Sequence, residues 1–143
     1  MRIADRMRRA PHECEALVMC ALHAANRPLS AHRLVNILAE MGTPFWPNQI
    51  YRALNTLREA GKVRRIELLN AYLPHARADD IALVCSRCDG TTLARGSDAV
   101  ALLLELASIC DFRPCSFVIE AEGLCVDCLS LTGTSERQAP LAL

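Results

Sequence analysis

Several features that would narrow the function at once are missing from this chain of 143 residues. It has no net charge, with 16 basic against 16 acidic side chains, so the total gives no sign of a polyanion-binding protein. No apolar stretch approaches the roughly 18 uninterrupted residues of a membrane span. The best run, residues 99–110, is interrupted by Glu105. The opening MRIADRMRRAPHE has charge but no apolar stretch, which does not match a secretory signal and leads us to expect a cytoplasmic protein. There is no glycine-rich phosphate loop, no Ser/His/Asp or Cys/His arrangement in a plausible order, and no open three-ligand metal set, so an enzyme is not expected. Internal repeats are absent too. What remains, 52% hydrophobic and 22% charged residues, is the composition of a folded globular chain of one or two domains.

The charge that cancels in total is unevenly placed. Residues 1–77 hold 12 basic side chains against 6 acidic ones, and residues 78–143 hold 4 against 10. A basic half joined to an acidic half suggests that the first binds a polyanion and the second serves another purpose.

Within the basic half, residues 13–25 read as a helix with Leu17, Met19, Cys20 and Leu22 on a broad apolar face, and Pro28 stops it. Ser30 can cap a second helix, where Leu34, Ile37, Leu38 and Met41 recur at i, i+3, i+4 and i+7 and Gly42 marks the end. Pro47 suits the first turn of a third helix that Gly61 terminates. That helix places Ile50, Leu54 and Leu57 on one face and Asn48, Tyr51, Arg52, Asn55 and Arg58 on the other. Two short β patterns follow, 63–68 and 71–73, with a turn near Asn70. Three helices and a hairpin make a winged helix, whose third helix enters the DNA major groove.

Residues 74–80, PHARADD, are polar and poor in strand formers and read as a hinge. Beyond them we expect strands at 81–84, 91–94 and 116–121 and a helix from Ser97 to about Cys110. The helix is apolar nearly all round, so a helix in a domain of this size is expected to bury its second side against a partner subunit. The fold class is therefore α+β: a winged helix-turn-helix domain over 1–73, the hinge, a small α/β dimerisation domain over 81–130, and a disordered tail over 131–143.

Of the eight cysteines, four form two C-x2-C pairs, Cys85/Cys88 and Cys125/Cys128, 36 residues apart. A two-residue gap lets both sulfurs of a pair face one ion, and four thiolates suit tetrahedral zinc. One structural zinc per subunit is expected. Cys14, Cys20, Cys110 and Cys115 form no such pair; each reads as a small hydrophobe.

Taken together, Pro28-Leu-Ser-Ala31, Gln49-Ile-Tyr-Arg-Ala-Leu54, Glu59-Ala-Gly61 and the closing Gly123-Leu-Cys-x2-Cys128 resemble the ferric uptake regulator (Fur) family of metal-responsive transcriptional repressors. Asn70-x-Tyr72 and the run from Val118 to Cys125 look most like its zinc uptake regulators. The resemblance implies a homodimer bound to a double-stranded DNA operator, a four-cysteine structural zinc, and a second, regulatory metal near the hinge. It matches Tyr51 and Arg52 to the family's recognition-helix pair. Asn55 and Asn48 share their reach, and Arg64 and Arg65 at the start of the wing can meet phosphate, although strand alternation lets only one of the two face DNA easily. The regulatory site departs from the family pattern, because Ala82, Leu93 and Phe117 stand where ligands are expected. His75, Asp79 and Asp80 are left to form it. Two other readings compete: a zinc-stabilised protein-interaction module, and a thiol redox switch using Cys110 and Cys115.

Overall fold

The structure is a computed structural model that describes residues 10–74, 77 and 79–131. The basic lead (Arg2, Arg6, Arg8, Arg9), His75 and the expected tail beyond residue 131 lie outside the described residues.

Three helices come first: α1 (Pro11–Ala25), α2 (Ala31–Glu40) and α3 (Pro47–Glu59). Pro11 opens α1, where the missing N–H costs nothing, and Asn26 ends it in the left-handed conformation that short polar side chains tolerate. The Ser30 hydroxyl accepts the Arg33 N–H at 3.2 Å and caps α2. The side-chain carbonyl of Gln49 accepts the Trp46 N–H at 2.8 Å, so Gln49 secures the start of α3. Gly42 and Gly61, with φ of +75° and +68°, turn the chain after α2 and α3 where a side chain would be strained. The inward stripes (Val18 and Leu22, Leu34 and Leu38, Ile50 and Leu54) meet Phe45 in one fully buried core.

The wing pairs β1 (Val63–Ile66) with β2 (Ala71–Pro74) in antiparallel register, Arg65 facing Tyr72. Between them Glu67–Leu69 forms a 3-10 turn, and Asn70 closes it with φ of +47°. Leu29 adds a bridge to the outer side: its N–H donates to Tyr72 at 3.0 Å and its carbonyl accepts from Tyr72 at 2.8 Å. The wing is thereby tied to the segment that enters α2, which the sequence did not reveal.

The acidic half contains β3 (Asp80–Cys85), β4 (Thr91–Arg95), α4 (Ser97–Ile109), β5 (Glu120–Gly123) and α5 (Val126–Leu131). β3 is central, antiparallel to β4 and parallel to β5. Three expectations are corrected here. The last strand was expected at 116–121, but the ladder with β3 runs over Glu120–Gly123, displaced toward the cysteines it serves. The tail was expected from residue 131, yet Leu131 closes α5, a helix not foreseen. The hinge is also shorter than 74–80, since Pro74 belongs to β2 and Asp80 to β3.

The halves meet at a small second core, where Ile66 and Leu73 of the wing pack on Ala82 and Val84 of β3, with Leu93 against them. Glu120 seals this contact from the far strand: its two carboxylate oxygens accept the Glu67 and Leu68 N–H groups, each at 2.9 Å. α4, by contrast, has no buried residue at all, and Leu102, Leu106 and Ile109 stand 60–73% exposed along one stripe.

Leu54 is fully buried where α1, α2 and α3 converge, so Leu54→Ala should cost about 2–5 kcal/mol of winged-helix stability. Denaturant unfolding followed by the fluorescence of Trp46 measures this. A loss below about 1 kcal/mol would show that the core closes over the cavity.

Candidate metal centre and nucleic-acid interface

The four paired cysteines converge. The Sγ atoms of Cys85, Cys88, Cys125 and Cys128 all lie within 4.8 Å of one another. Those of Cys88 and Cys125 are 3.8 Å apart. A tetrahedral ion with zinc–sulfur bonds of about 2.3 Å separates its ligands by about 3.8 Å, so the donor set and its spacing fit zinc.

Local backbone chemistry builds each half of the centre. Cys85 ends β3, and the chain then folds back so that the Asp89 N–H donates to the Cys85 carbonyl and the Cys85 N–H to the Gly90 carbonyl, both at 2.9 Å. Asp89 adopts φ of +58° in this turn. A Cβ on Gly90 would lie 3.1 Å from the Cys88 sulfur, so only glycine leaves that sulfur its full space. On the other side the Cys125 carbonyl accepts the Leu129 N–H at 2.9 Å, which makes Cys125 the cap of α5 and sets Cys128 three residues on, over the same face. The strands are clamped as well, because the Ser86 N–H and hydroxyl both donate to the Gly123 carbonyl, at 2.8 and 3.1 Å.

The thiols are not equivalent. Backbone N–H groups of Cys125, Arg87 and Cys88 point at the Cys85 sulfur and bring its pKa down to about 6. Its neighbour Cys128 is pushed up to about 12, first by its contact with Cys125 and then by burial. Cys88 is raised also, chiefly by its contact with Cys85 and by burial, against the lowering effect of the Gly90 N–H. The site thus offers one ready thiolate for capture of a cation and completes its charge by shedding protons as the ion binds.

Cys14 lies elsewhere, buried in the first core, with its thiol raised to about 11 by desolvation and the nearby Glu15 and Glu13. Cys20, Cys110 and Cys115 are exposed and free. Among the described residues no other three or more histidine, cysteine and carboxylate side chains gather closely enough to share an ion. Of the expected regulatory ligands, Asp79 pairs with the Arg77 guanidinium at 3.2 Å, which holds its carboxyl below the usual range. Asp80 accepts the Arg77 N–H at 2.9 Å. Ala82 and Leu93, standing where ligands were expected, belong to the apolar junction.

On α3, Asn48, Tyr51, Arg52 and Asn55 recur at i, i+3, i+4 and i+7 and form an exposed polar stripe opposite the buried Ile50, Ala53, Leu54 and Leu57. Arg64 departs from its expected place on DNA: its guanidinium donates to the carbonyls of Asp80 and Ile119, so it faces the junction between the halves. Arg65, next to it on β1, pairs with Asn70 at 2.9 Å and Glu67 at 3.4 Å.

Fold and centre together define a winged-helix protein with an appended α/β unit closed by a four-thiolate metal site. No family model matches the chain. The zinc uptake regulation protein of Escherichia coli strain K12 is 29% identical over 133 residues, covering 87% of this chain and 75% of that protein. A zinc uptake regulator solved in complex with zinc and DNA superposes with a TM-score of 0.78 at 25% identity, over 85% of this chain and 84% of the other. The holo form of XcZur gives a TM-score of 0.73 at 28% identity, over 82% and 84%. In sequence and in fold the chain is similar to zinc uptake regulators.

Because Cys88 and Cys128 must lose protons when an ion binds, zinc affinity should rise with pH above about 6 and fall more steeply below it, where Cys85 also protonates. Chelator competition across pH 5–8 reads this directly. An affinity independent of pH would remove the thiols from the ligand set.

Proposed function

We propose that this chain is a homodimeric, zinc-containing transcriptional repressor that binds double-stranded operator DNA in the cytoplasm and responds to metal. The observation that carries it is the solvent-facing stripe of Asn48, Tyr51, Arg52 and Asn55, presented by the third helix of a winged helix within the basic half of the chain. A rigid helix laid in the major groove can place Arg52 on phosphate or on a guanine edge, and Tyr51 on phosphate or a thymine methyl. Asn55 lies one turn on, within the same groove. Arg65 stays near enough to the wing surface to support a backbone contact, whereas Arg64 holds the junction.

In this reading the winged helix, through the end of β2, binds DNA, the residues between β2 and β3 connect, and the unit from β3 to α5 dimerises and holds zinc on Cys85, Cys88, Cys125 and Cys128. Dimerisation answers the exposure of α4. Leu102, Leu106 and Ile109 would be a costly surface on a free monomer, and a second copy covers them most simply. A four-thiolate zinc leaves no open coordination position, so it serves structure. A regulatory metal on His75, Asp79 and Asp80 must compete with Arg77 for the carboxylates, and its hold is weaker than that of the four-cysteine ion.

Arg52→Ala should weaken binding to a duplex and lower the salt slope of affinity by about one unit if the contact is to phosphate. A base contact would instead relax sequence preference by about 1–3 kcal/mol. Titration of labelled random and selected duplexes separates the two, and unchanged affinity and specificity would move the interface off α3.

Leu106→Glu sets a charge in the α4 stripe and should leave a zinc-loaded monomer, seen by analytical ultracentrifugation. A dimer that survives both Leu106→Glu and Leu102→Glu would place the interface elsewhere.

A further inference from the structure

A cavity of about 360 Å³ opens between the wing, the end of α3 and the second unit, and nothing in the metal centre or the α3 stripe accounts for it. Its lining is divided in character. One wall is apolar, with Val100 of α4 and Phe117 and Val118 of the segment before β5. The other is basic, with Arg58, Arg64, Arg65 and Arg77 against only Glu67 and Asp80.

Charge pairing on that wall is incomplete. Arg77 is matched by Asp79 and Arg65 by Glu67. Arg64 engages only carbonyl oxygens, those of Asp80 and Ile119, and no carboxylate. Among the described residues no carboxylate pairs with Arg58. The Nε of Arg65 is buried with no hydrogen-bond partner, although a buried donor without an acceptor is costly. Uncompensated guanidinium groups beside an apolar wall, in a space the size of a small-molecule site, are the complement of an organic anion.

We infer that this cleft is an effector site for a small organic anion, a carboxylate or phosphate carried on a flat apolar body. The anionic group sits on Arg58 and Arg64, and the apolar body lies against Phe117 and Val118. Arg64 already bridges the wing to Asp80 and Ile119, so an anion on it couples the winged helix to the second unit. Occupancy then sets how the two halves are held and thereby the affinity for DNA. This last step rests on the DNA-binding reading above, whereas the binding step does not.

The test uses the zinc-loaded full chain, with 1-naphthyl phosphate, 1-naphthoate and the neutral 1-naphthol as probes in calorimetry. The two anions should bind once per chain and 1-naphthol at least about tenfold more weakly, since charge-assisted contacts supply the difference. Arg58→Gln should weaken the anions by about tenfold. Val118→Asp, at a position 59% exposed, should abolish them. Absence of anion binding, equal binding of naphthol, or binding unchanged in both variants would each overturn the site. If the anions bind in the cleft but leave the affinity for duplex DNA unmoved, the coupling to DNA is wrong. If the chain binds no duplex under any condition, the DNA-binding reading fails while the calorimetry still decides the site.

Discussion

Four sulfur atoms within 4.8 Å of one another are the constraint on which the second half of this protein depends. Few of its residues are buried in the chain alone: Ala82, Val84, Cys85 and Cys128 supply most of what is shielded, and α4 contributes nothing. A unit of some 50 residues with so small an interior cannot offset its conformational entropy by apolar burial. An ion that joins the end of β3 to the cap of α5 replaces the missing core at one end. In the proposed dimer a second copy laid over α4 would replace it at the other. Ion binding and folding of the unit are then linked, and loss of the ion would unfasten the unit and with it the dimer.

The first half needs neither. Its core runs from Cys14 to Tyr72 through three helices and the wing, so the α3 stripe rests on a self-sufficient platform. The two halves communicate through a narrow seam, consisting of Ile66 and Leu73 against Ala82 and Val84, the Glu120 carboxylate on two wing N–H groups, and Arg64 on two carbonyls. Any event that moves β3 or β5 reaches the wing through these few contacts.

The helices were legible in the sequence because punctuation and periodicity agreed. Ser30 and Pro47 mark starts, Gly42 and Gly61 mark stops, and the apolar stripe of α2 repeats at helical spacing. The cysteine centre was legible because two-residue gaps constrain geometry by themselves. α5 was not, since six residues give no period to read and two of its positions, the cap Cys125 and Cys128 within it, are ligands. The run at 116–121 drew the strand assignment by its apolar content, but pairing depends on which residues β3 can reach, and that ladder begins at Glu120. Strand alternation limited Arg64 and Arg65 to opposite faces without saying which face met the second unit. Contacts such as Glu120 to the wing join residues more than 50 apart and leave no local signal.

The claim that ion and partner stand in for a core is tested most directly by hydrogen exchange on the zinc-loaded protein before and after removal of the metal by a chelator. The account predicts that amides of β3, β4, β5 and α4 lose protection together as the dimer dissociates, while those of α1, α2 and α3 keep theirs. A metal-free chain that stays dimeric with the second unit still protected would contradict it.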